Sequence, residues 1–354
     1  MFAALKVRPY LTTRSLVPEN QETPIHFLLR ESVFPARYFF RRNHFPFLPK
    51  LESSTLLVHG QVQRPFSISA SQLKMMPSKK LLVPLECAGN QRAKFAPPVF
   101  GEQWKDGAIS QAVWTGVPLR ELLSLANIQN NAKEVIFVGA DFGKRQDMDG
   151  LFYYARSLPL EKALHPDTII AYEYNGSPLP FKHGFPLRLI VPQWYAMASV
   201  KWLKQIIVTD QPFIGPFQAI DYVYYPHKHS DADKEPVTTI NVNSLIQSPL
   251  DYSIHRAGTL LIEGIAWTGS GRIEKVEISV DNGETWKQAV LMLREQERYA
   301  WVHWRFAWKV REKGEYTLLA KATDSSGQTQ PSVPIWNRKG YGYNAIQHVH
   351  VKIE

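Results

Sequence analysis

Cysteine is nearly absent: the 354 residues contain one, Cys87. A single thiol excludes an intramolecular disulfide and suits a reducing compartment. It also excludes a cysteine-ligated iron–sulfur cluster and a Cys-x-x-Cys-His haem attachment, so neither haem nor iron–sulfur cluster is expected in the chain. Long apolar runs are missing too, and none approaches the roughly 20 residues that a helix needs to cross a bilayer. Residues 1–24 hold Lys6, Arg8 and Arg14 but no apolar core, small-residue cleavage site or twin-arginine pair. No export segment is read there, and a cytoplasmic location with no membrane partner is the expectation. There is no internal repeat, no low-complexity tract, no long Lys/Arg run and no recognisable nucleic-acid module, so nucleic acid is not an expected partner. The net charge of +9, from 41 basic and 32 acidic residues, instead favours small oxyanions or a phosphate-bearing cofactor.

Apolar residues make up 44% and charged residues 21%, a globular balance. The length exceeds one ordinary core and points to two domains. Residues 1 to about 50 read as irregular, rich in Pro and aromatics. Strands are expected over 56–62, 81–85, 134–139, 168–174 and 187–191, with one or two helical turns over 69–75. Gly116-Val117-Pro118 is expected to start a helix whose Leu119, Leu122, Leu123 and Ala126 share one face. Asp141 should lie in a Gly-containing loop after the strand over 134–139. This mixture without β-α-β alternation argues for an α+β domain. Residues 210–250 are proline-rich and polar and read as a connection. Beyond them, strands are expected over 260–267, 276–280, 300–310, 316–322 and 347–353, with turn signals such as Asp281-Asn282-Gly283. Val302, Trp304, Phe306, Trp308 and Val310 fall on one face at a period of two. With no helix signal, the last third reads as an all-β sandwich.

The stretch Leu85-Glu86-Cys87-Ala88-Gly89-Asn90-Gln91-Arg92 runs from a strand end into a small-residue turn, with Arg92 five residues past the sulfur. A lone cysteine is ordinarily a small buried hydrophobe. A nearby cation favours the thiolate, the form that ligates metal. One thiolate cannot hold a metal alone, so other residues complete a site or a cofactor brings its own ligands.

Cys87-Ala88-Gly89-Asn90 joins several further motifs. They are Arg42-Asn43-His44, Gly107-Ala108-Ile109-Ser110, His183-Gly184-Phe185-Pro186-Leu187-Arg188, Ser199-Val200-Lys201-Trp202-Leu203 and Val333-Pro334-Ile335-Trp336-Asn337. In this order and spacing, from about Phe39 to the C-terminus, the chain resembles the sulfite oxidase family of molybdenum enzymes. The resemblance implies a mixed α/β molybdopterin-binding catalytic domain over 1–236 and an immunoglobulin-like dimerisation domain over 237–354. It implies a molybdenum–molybdopterin cofactor whose metal Cys87 ligates, with the pterin dithiolene supplying further sulfurs. Phe40, Arg42, Asn43, His44, Asp141, His183, Arg188, Ser199, Val200 and Lys201 would bind the cofactor. Arg42, Arg92, Trp104, Tyr154 and Lys339 would form the substrate pocket. A guanidinium can fork two hydrogen bonds onto an oxyanion, Lys201 adds a compact charge, and Asp141 can accept from pterin N–H groups.

The implied reaction is oxidation of sulfite or a related sulfur oxyanion to sulfate. The two electrons would pass to an external acceptor: a cytochrome, another carrier or oxygen. A homodimer is the implied assembly. Two positions depart from the family pattern. Lys339 stands where the family has Arg in Trp-Asn-x-Arg-Gly, which keeps the charge but loses the fork. Gln91 stands where Arg is common. Reduction of nitrate or a sulfoxide on the same scaffold is the enzymatic rival. A non-catalytic sandwich acting in adhesion or assembly is the rival from another class.

Overall fold

β-Branched and aromatic residues recur here in short alternating runs between Gly, Pro and Asn turns, and strand dominates accordingly. The computed structural model describes residues 11–28, 32–47, 55–292 and 297–354. Among these the longest helix is Leu119–Ala126, whose Leu119, Leu122, Leu123 and Ala126 are all buried, as their spacing predicts. Gly116, Val117 and Pro118 do not begin that helix. They end the strand Ile109–Pro118, where Gly116 lies so close to the backbone of Ile170 and Ala171 that a side chain would not fit. No helix among the described residues is long and apolar enough to cross a membrane.

Two five-stranded sheets build the first part of the chain. One runs Ser177–Pro178, Ile169–Tyr174, Ile109–Pro118, Lys79–Glu86, with Arg188–Ile190 also paired to Ile169–Tyr174. The other runs Phe66–Ser69, Thr55–Gly60, Leu203–Thr209, Glu134–Gly143, Phe152–Pro159; only Thr55–Gly60 and Leu203–Thr209 pair in parallel. Asp141 is inside the strand Glu134–Gly143 and not in a loop beyond it. The pairing with Phe152–Pro159 slips between Val138 and Phe142, and this bulge turns Asp141 inward, where it is buried. Gly139 is required there, because a Cβ would press on the Asp141 carboxylate and the Lys201 carbonyl.

The last third is a two-sheet, all-β sandwich. One sheet is Asn243–Ser248, Gly258–Trp267, Val302–Val310, Val290–Met292; the other is Ser253–His255, Gln347–Ile353, Gly314–Asp324, Ile273–Ser279, Lys287–Gln288. Trp304, Trp308 and Val310 face its core, with Val302 and Phe306 half-buried beside them, against Ile262, Val276, Leu318 and Val349. The two parts dock through polar groups as well as apolar ones. The Trp267 indole donates to Glu86 (2.8 Å), Asn243 Nδ2 to Gln91 (2.9 Å) and the Trp301 amide to Gln111 (2.8 Å).

Residues 11–28, read as irregular, contain a hairpin, Thr12–Leu16 with Glu19–Glu22, and a short helix, Ile25–Leu28. The hairpin lacks the alternating apolar signature because its tip faces solvent and its far strand is held by polar contacts. Gln21 and Arg41 exchange backbone hydrogen bonds (2.9 and 2.8 Å), and the Thr23 amide donates to the Gly107 carbonyl (3.0 Å). Gly107 sits against the Thr23 carbonyl with no space for a Cβ. Gly107→Ala should therefore lower the stability of the first domain by about 1–3 kcal/mol, the usual cost of overpacking. Equilibrium urea unfolding checks this; an unshifted midpoint would contradict the close approach.

Candidate active site

Seven separated segments converge on one cleft. Phe40, Arg42, Asn43 and His44 come from the segment after the hairpin, and Cys87 from the turn following Lys79–Glu86. Asp141 comes from the bulge, Tyr154 from Phe152–Pro159, His183 and Arg188 from the turn into Arg188–Ile190, and Ser199 and Lys201 from the segment before Leu203–Thr209. Lys182 and Tyr222 also line it.

The cysteine turn is fixed by its own polar side chains. Asn90 Nδ2 donates to Glu86 (3.0 Å), while Asn90 Oδ1 accepts from the Ala108 amide (3.0 Å). Burial pushes the Cys87 thiol up, and nearby Arg42 and Arg92 offset only part of that. The cationic neighbours that the sequence suggested are thus present, but in the protein alone they do not outweigh desolvation. Among the described residues no three His, Cys, Asp or Glu side chains converge to hold a metal. A metal at Cys87 would need ligands carried by a cofactor.

The remaining lining is strongly cationic and mostly buried. Burial pulls Arg188 down to about 9 and His183 down to about 3. Lys201 falls to about 7 and Asp141 rises to about 6, each through burial and each drawn back by the charge of the other. Lys201 donates to the Arg42 carbonyl (3.1 Å) and to Asn43 Oδ1. Arg188 donates to the His183 carbonyl (3.1 Å). Arg188 Nε and Asp141 Oδ1, both buried, have no hydrogen-bond partner among the described residues. Buried ionisable groups are ordinarily satisfied. An unspent guanidinium N–H and an unspent carboxylate oxygen on one cleft match a ligand bearing both an anionic group and N–H donors, as a phosphorylated pterin does.

His44 and Tyr222 meet in the cleft lining. Burial holds His44 well below its ordinary value, so its ring is neutral. Arg42 can only donate, and its Nη2 lies 3.4 Å from His44 Nδ1. That leaves Nε2–H to donate to the Tyr222 oxygen at 2.7 Å. The Tyr222 proton is then free to point elsewhere. The Tyr154 hydroxyl, by contrast, is spent on the Met197 carbonyl (2.8 Å), with its ring stacked on His44 at 5.2 Å.

Four residues assigned from the resemblance do not line the cleft. Arg92 donates to the Lys339 carbonyl and the Glu102 carbonyl (both 3.0 Å) and lies over the Tyr341 ring. Trp104 is wholly buried among core residues. Val200 is buried, with its carbonyl accepting from the Leu189 amide (2.9 Å). Lys339 pairs with Asp221 at 3.3 Å. Gln91 is fully buried; it donates to Asp106 (2.8 Å) and accepts from Asn243, so it ties the cysteine turn to the sandwich. Tyr222 was missed because residues 210–250 read as a connection. The signal was the cluster Asp221-Tyr222 and Tyr224-Tyr225 inside it, dense for a linker.

A model of the oxidoreductase molybdopterin binding domain matches residues 44–217, and one of the Mo-co oxidoreductase dimerisation domain matches residues 234–354. Mitochondrial sulfite oxidase of Rattus norvegicus is 35% identical over 98% of this chain; the chain spans 66% of that relative's length. Sulfite oxidase of Arabidopsis thaliana is 32% identical, over 94% of this chain and 91% of its own. The chain belongs to the sulfite oxidase family. The crystal structure of the sulfane dehydrogenase SoxCD from Paracoccus pantotrophus superposes with a TM-score of 0.82 at 26% identity, covering 98% of this chain and 92% of that one. Within this sulfite oxidase family fold, most of the cleft's lining falls in the molybdopterin-binding domain.

The buried neutral His183 gives a test of the electrostatics. An unfolded imidazole titrates near 6.5 and this one near 3. Between those values the unfolded chain holds the extra proton, so stability falls as the pH drops from 6.5 towards 3, by up to about 1.4 kcal/mol per pH unit. In cofactor-free protein, His183→Gln should flatten this acid limb between pH 6.5 and 4 in urea unfolding. An unchanged slope would contradict a buried neutral ring.

Proposed function

We propose that the protein is a molybdenum-dependent oxidoreductase that oxidises sulfite, or a closely related small sulfur oxyanion, to sulfate, passing electrons to an external acceptor. One observation carries this reading: Cys87, Arg42 and Tyr222 share a cationic cleft with Asp141 and Arg188, whose Oδ1 and Nε have no hydrogen-bond partner among the described residues. Cys87 would ligate the molybdenum. Asp141, His183, Arg188, Ser199 and Lys201 would hold the pterin and its phosphate. When bound, the cofactor supplies a two-electron centre competent for oxygen-atom transfer.

The chain's own residues bind, orient and exclude water. Arg42 offers a guanidinium to a small oxyanion. His44, neutral, fixes the Tyr222 oxygen by donating to it, and Tyr222 presents its O–H to the anion or to the leaving oxyanion. Burial keeps Tyr222 well above its ordinary value, so it stays a donor throughout the neutral range. Phe40 and Tyr154, both buried, give the cleft aromatic walls. The match of residues 234–354 to a dimerisation domain supports a homodimer. The passage from Glu235–Pro236 to Asn243–Ser248 supports a boundary between residues 236 and 237.

Sulfite-dependent reduction of ferricyanide by the holoenzyme tests the assignment. Turnover is expected, and its absence in metal-replete protein would overturn it. Tyr222→Phe should lower kcat/KM roughly 100-fold, the lower end of what a positioned proton donor contributes. Tyr154→Phe should cost less than about tenfold. Equal losses would contradict the different roles given to the two hydroxyls.

A further inference from the structure

Beside the cleft wall lies a buried cation that the reaction above does not use. Arg156 stands two residues past Tyr154 in the strand Phe152–Pro159 and is 1% exposed. It does not itself line the cleft. Its Nη1 donates to the carbonyl of Phe217, in the short helix Pro216–Ala219, while its buried Nε has no hydrogen-bond partner among the described residues. No carboxylate among them pairs with it. Asp221, the carboxylate whose charge reaches it, is held by Arg145 at 2.6 Å and by Lys339 at 3.3 Å. What the guanidinium does meet is the ring of Tyr222, whose centre is 5.5 Å away. A guanidinium stays charged inside a protein, and burying it without an anion is costly. A neutral donor would serve the Phe217 carbonyl as well, so the charge asks for another reason.

Tyr222 is itself held in an unusual pose. Its backbone is left-handed, with φ of 50°, a conformation that bulky side chains rarely adopt and that persists where the surroundings over-determine it. Three neighbours fix its ring. Tyr341 stacks on it at 5.3 Å, His44 meets it edge-on at 5.7 Å, and Arg156 is the third.

We propose that Arg156 is a positioning residue that acts through Tyr222: its charge over the ring holds the phenol in place and makes its hydroxyl a stronger donor to a bound oxyanion. A cation is attracted to the negative face of an aromatic ring, most strongly where both are out of water. The same charge draws electron density from the phenol oxygen and so favours donation of its proton. With His44 donating to that oxygen, the O–H is left for the anion. The inference rests on Tyr222 contacting a small oxyanion, but not on turnover.

Sulfate binding to the holoenzyme, measured by calorimetry beside sulfite kinetics, tests it in a double-mutant cycle with Tyr222→Phe. Arg156→Met should lower kcat/KM roughly tenfold and raise the sulfate Kd roughly threefold, within the range of a desolvated cation–π contact. Arg156→Lys, which keeps the charge, should restore most of both. In the Tyr222→Phe background Arg156→Met should change neither, because the hydroxyl it serves is gone. An arginine that only braces the fold would cost the same in both backgrounds. Unchanged values in Arg156→Met, a loss of equal size in Tyr222→Phe, or a Lys variant no better than Met overturns the proposal. If Arg156→Met does not fold, Arg156→Gln, which keeps an N–H donor for the Phe217 carbonyl, takes its place in the cycle and decides by the same outcomes. Wild-type protein that binds sulfate without oxidising sulfite sinks the proposed activity, and the sulfate arm of the cycle then decides this inference alone.

Discussion

The buried carboxylate of Glu86 is the contact on which the cysteine turn depends. It closes the strand Lys79–Glu86, accepts from Asn90 inside the turn, and accepts from the Trp267 indole of the sandwich. Burial pushes it up to about 7 against those two hydrogen bonds. Removing it would strand an amide and an indole N–H in a dry interface, each at a cost of about 1–3 kcal/mol. Gln91 makes the second tie, between Asp106 and Asn243. The docking of the two domains and the placement of Cys87 are thus one arrangement. This gives Gln91, a departure from the family pattern, a structural task that a charged side chain would disturb.

The same logic of burial governs the cleft. Arg42, Arg188 and Lys201 are cations removed from water, with Asp141 as the carboxylate that shares their cavity. Isolated buried charges are expensive and persist where something else repays the desolvation. An anionic cofactor is such a partner, and the unspent Arg188 and Asp141 atoms mark where it would engage. Arg41 and Lys182 behave differently: both are paired with Glu19 of the hairpin, so a nearby carboxylate moderates their charge.

Much of this was legible in the residues. The sandwich followed from period-two aromatics such as Trp304 and Trp308, and the eight-residue helix from Leu119, Leu122 and Leu123, because each pattern reports burial on one face. The motifs around Arg42, Cys87, His183 and Lys201 stood out through their resemblance, in that order and spacing, to those of the sulfite oxidase family. What was hidden depends on contacts between distant segments. The hairpin over residues 12–22 is held by backbone and polar bonds to Arg41 and Gly107, which leave no apolar signature. The bulge at Asp141 is a slip in register, visible only once Phe152–Pro159 lies beside it. Tyr154 and Tyr222 are indistinguishable as letters. Their hydroxyls differ because one finds the Met197 carbonyl and the other His44. Arg92 likewise kept its charge on paper but spends its N–H groups on two carbonyls.

The central claim is that Cys87 supplies the protein's sulfur to a molybdenum centre held in this cleft. X-ray absorption at the molybdenum edge, with metal and pterin quantified on the same sample, tests it most directly. The account predicts stoichiometric molybdenum in wild-type protein from cells that make the cofactor, and one fewer sulfur neighbour in Cys87→Ser with the pterin retained. An unchanged sulfur count in the variant, or wild-type protein without molybdenum from such cells, would contradict it.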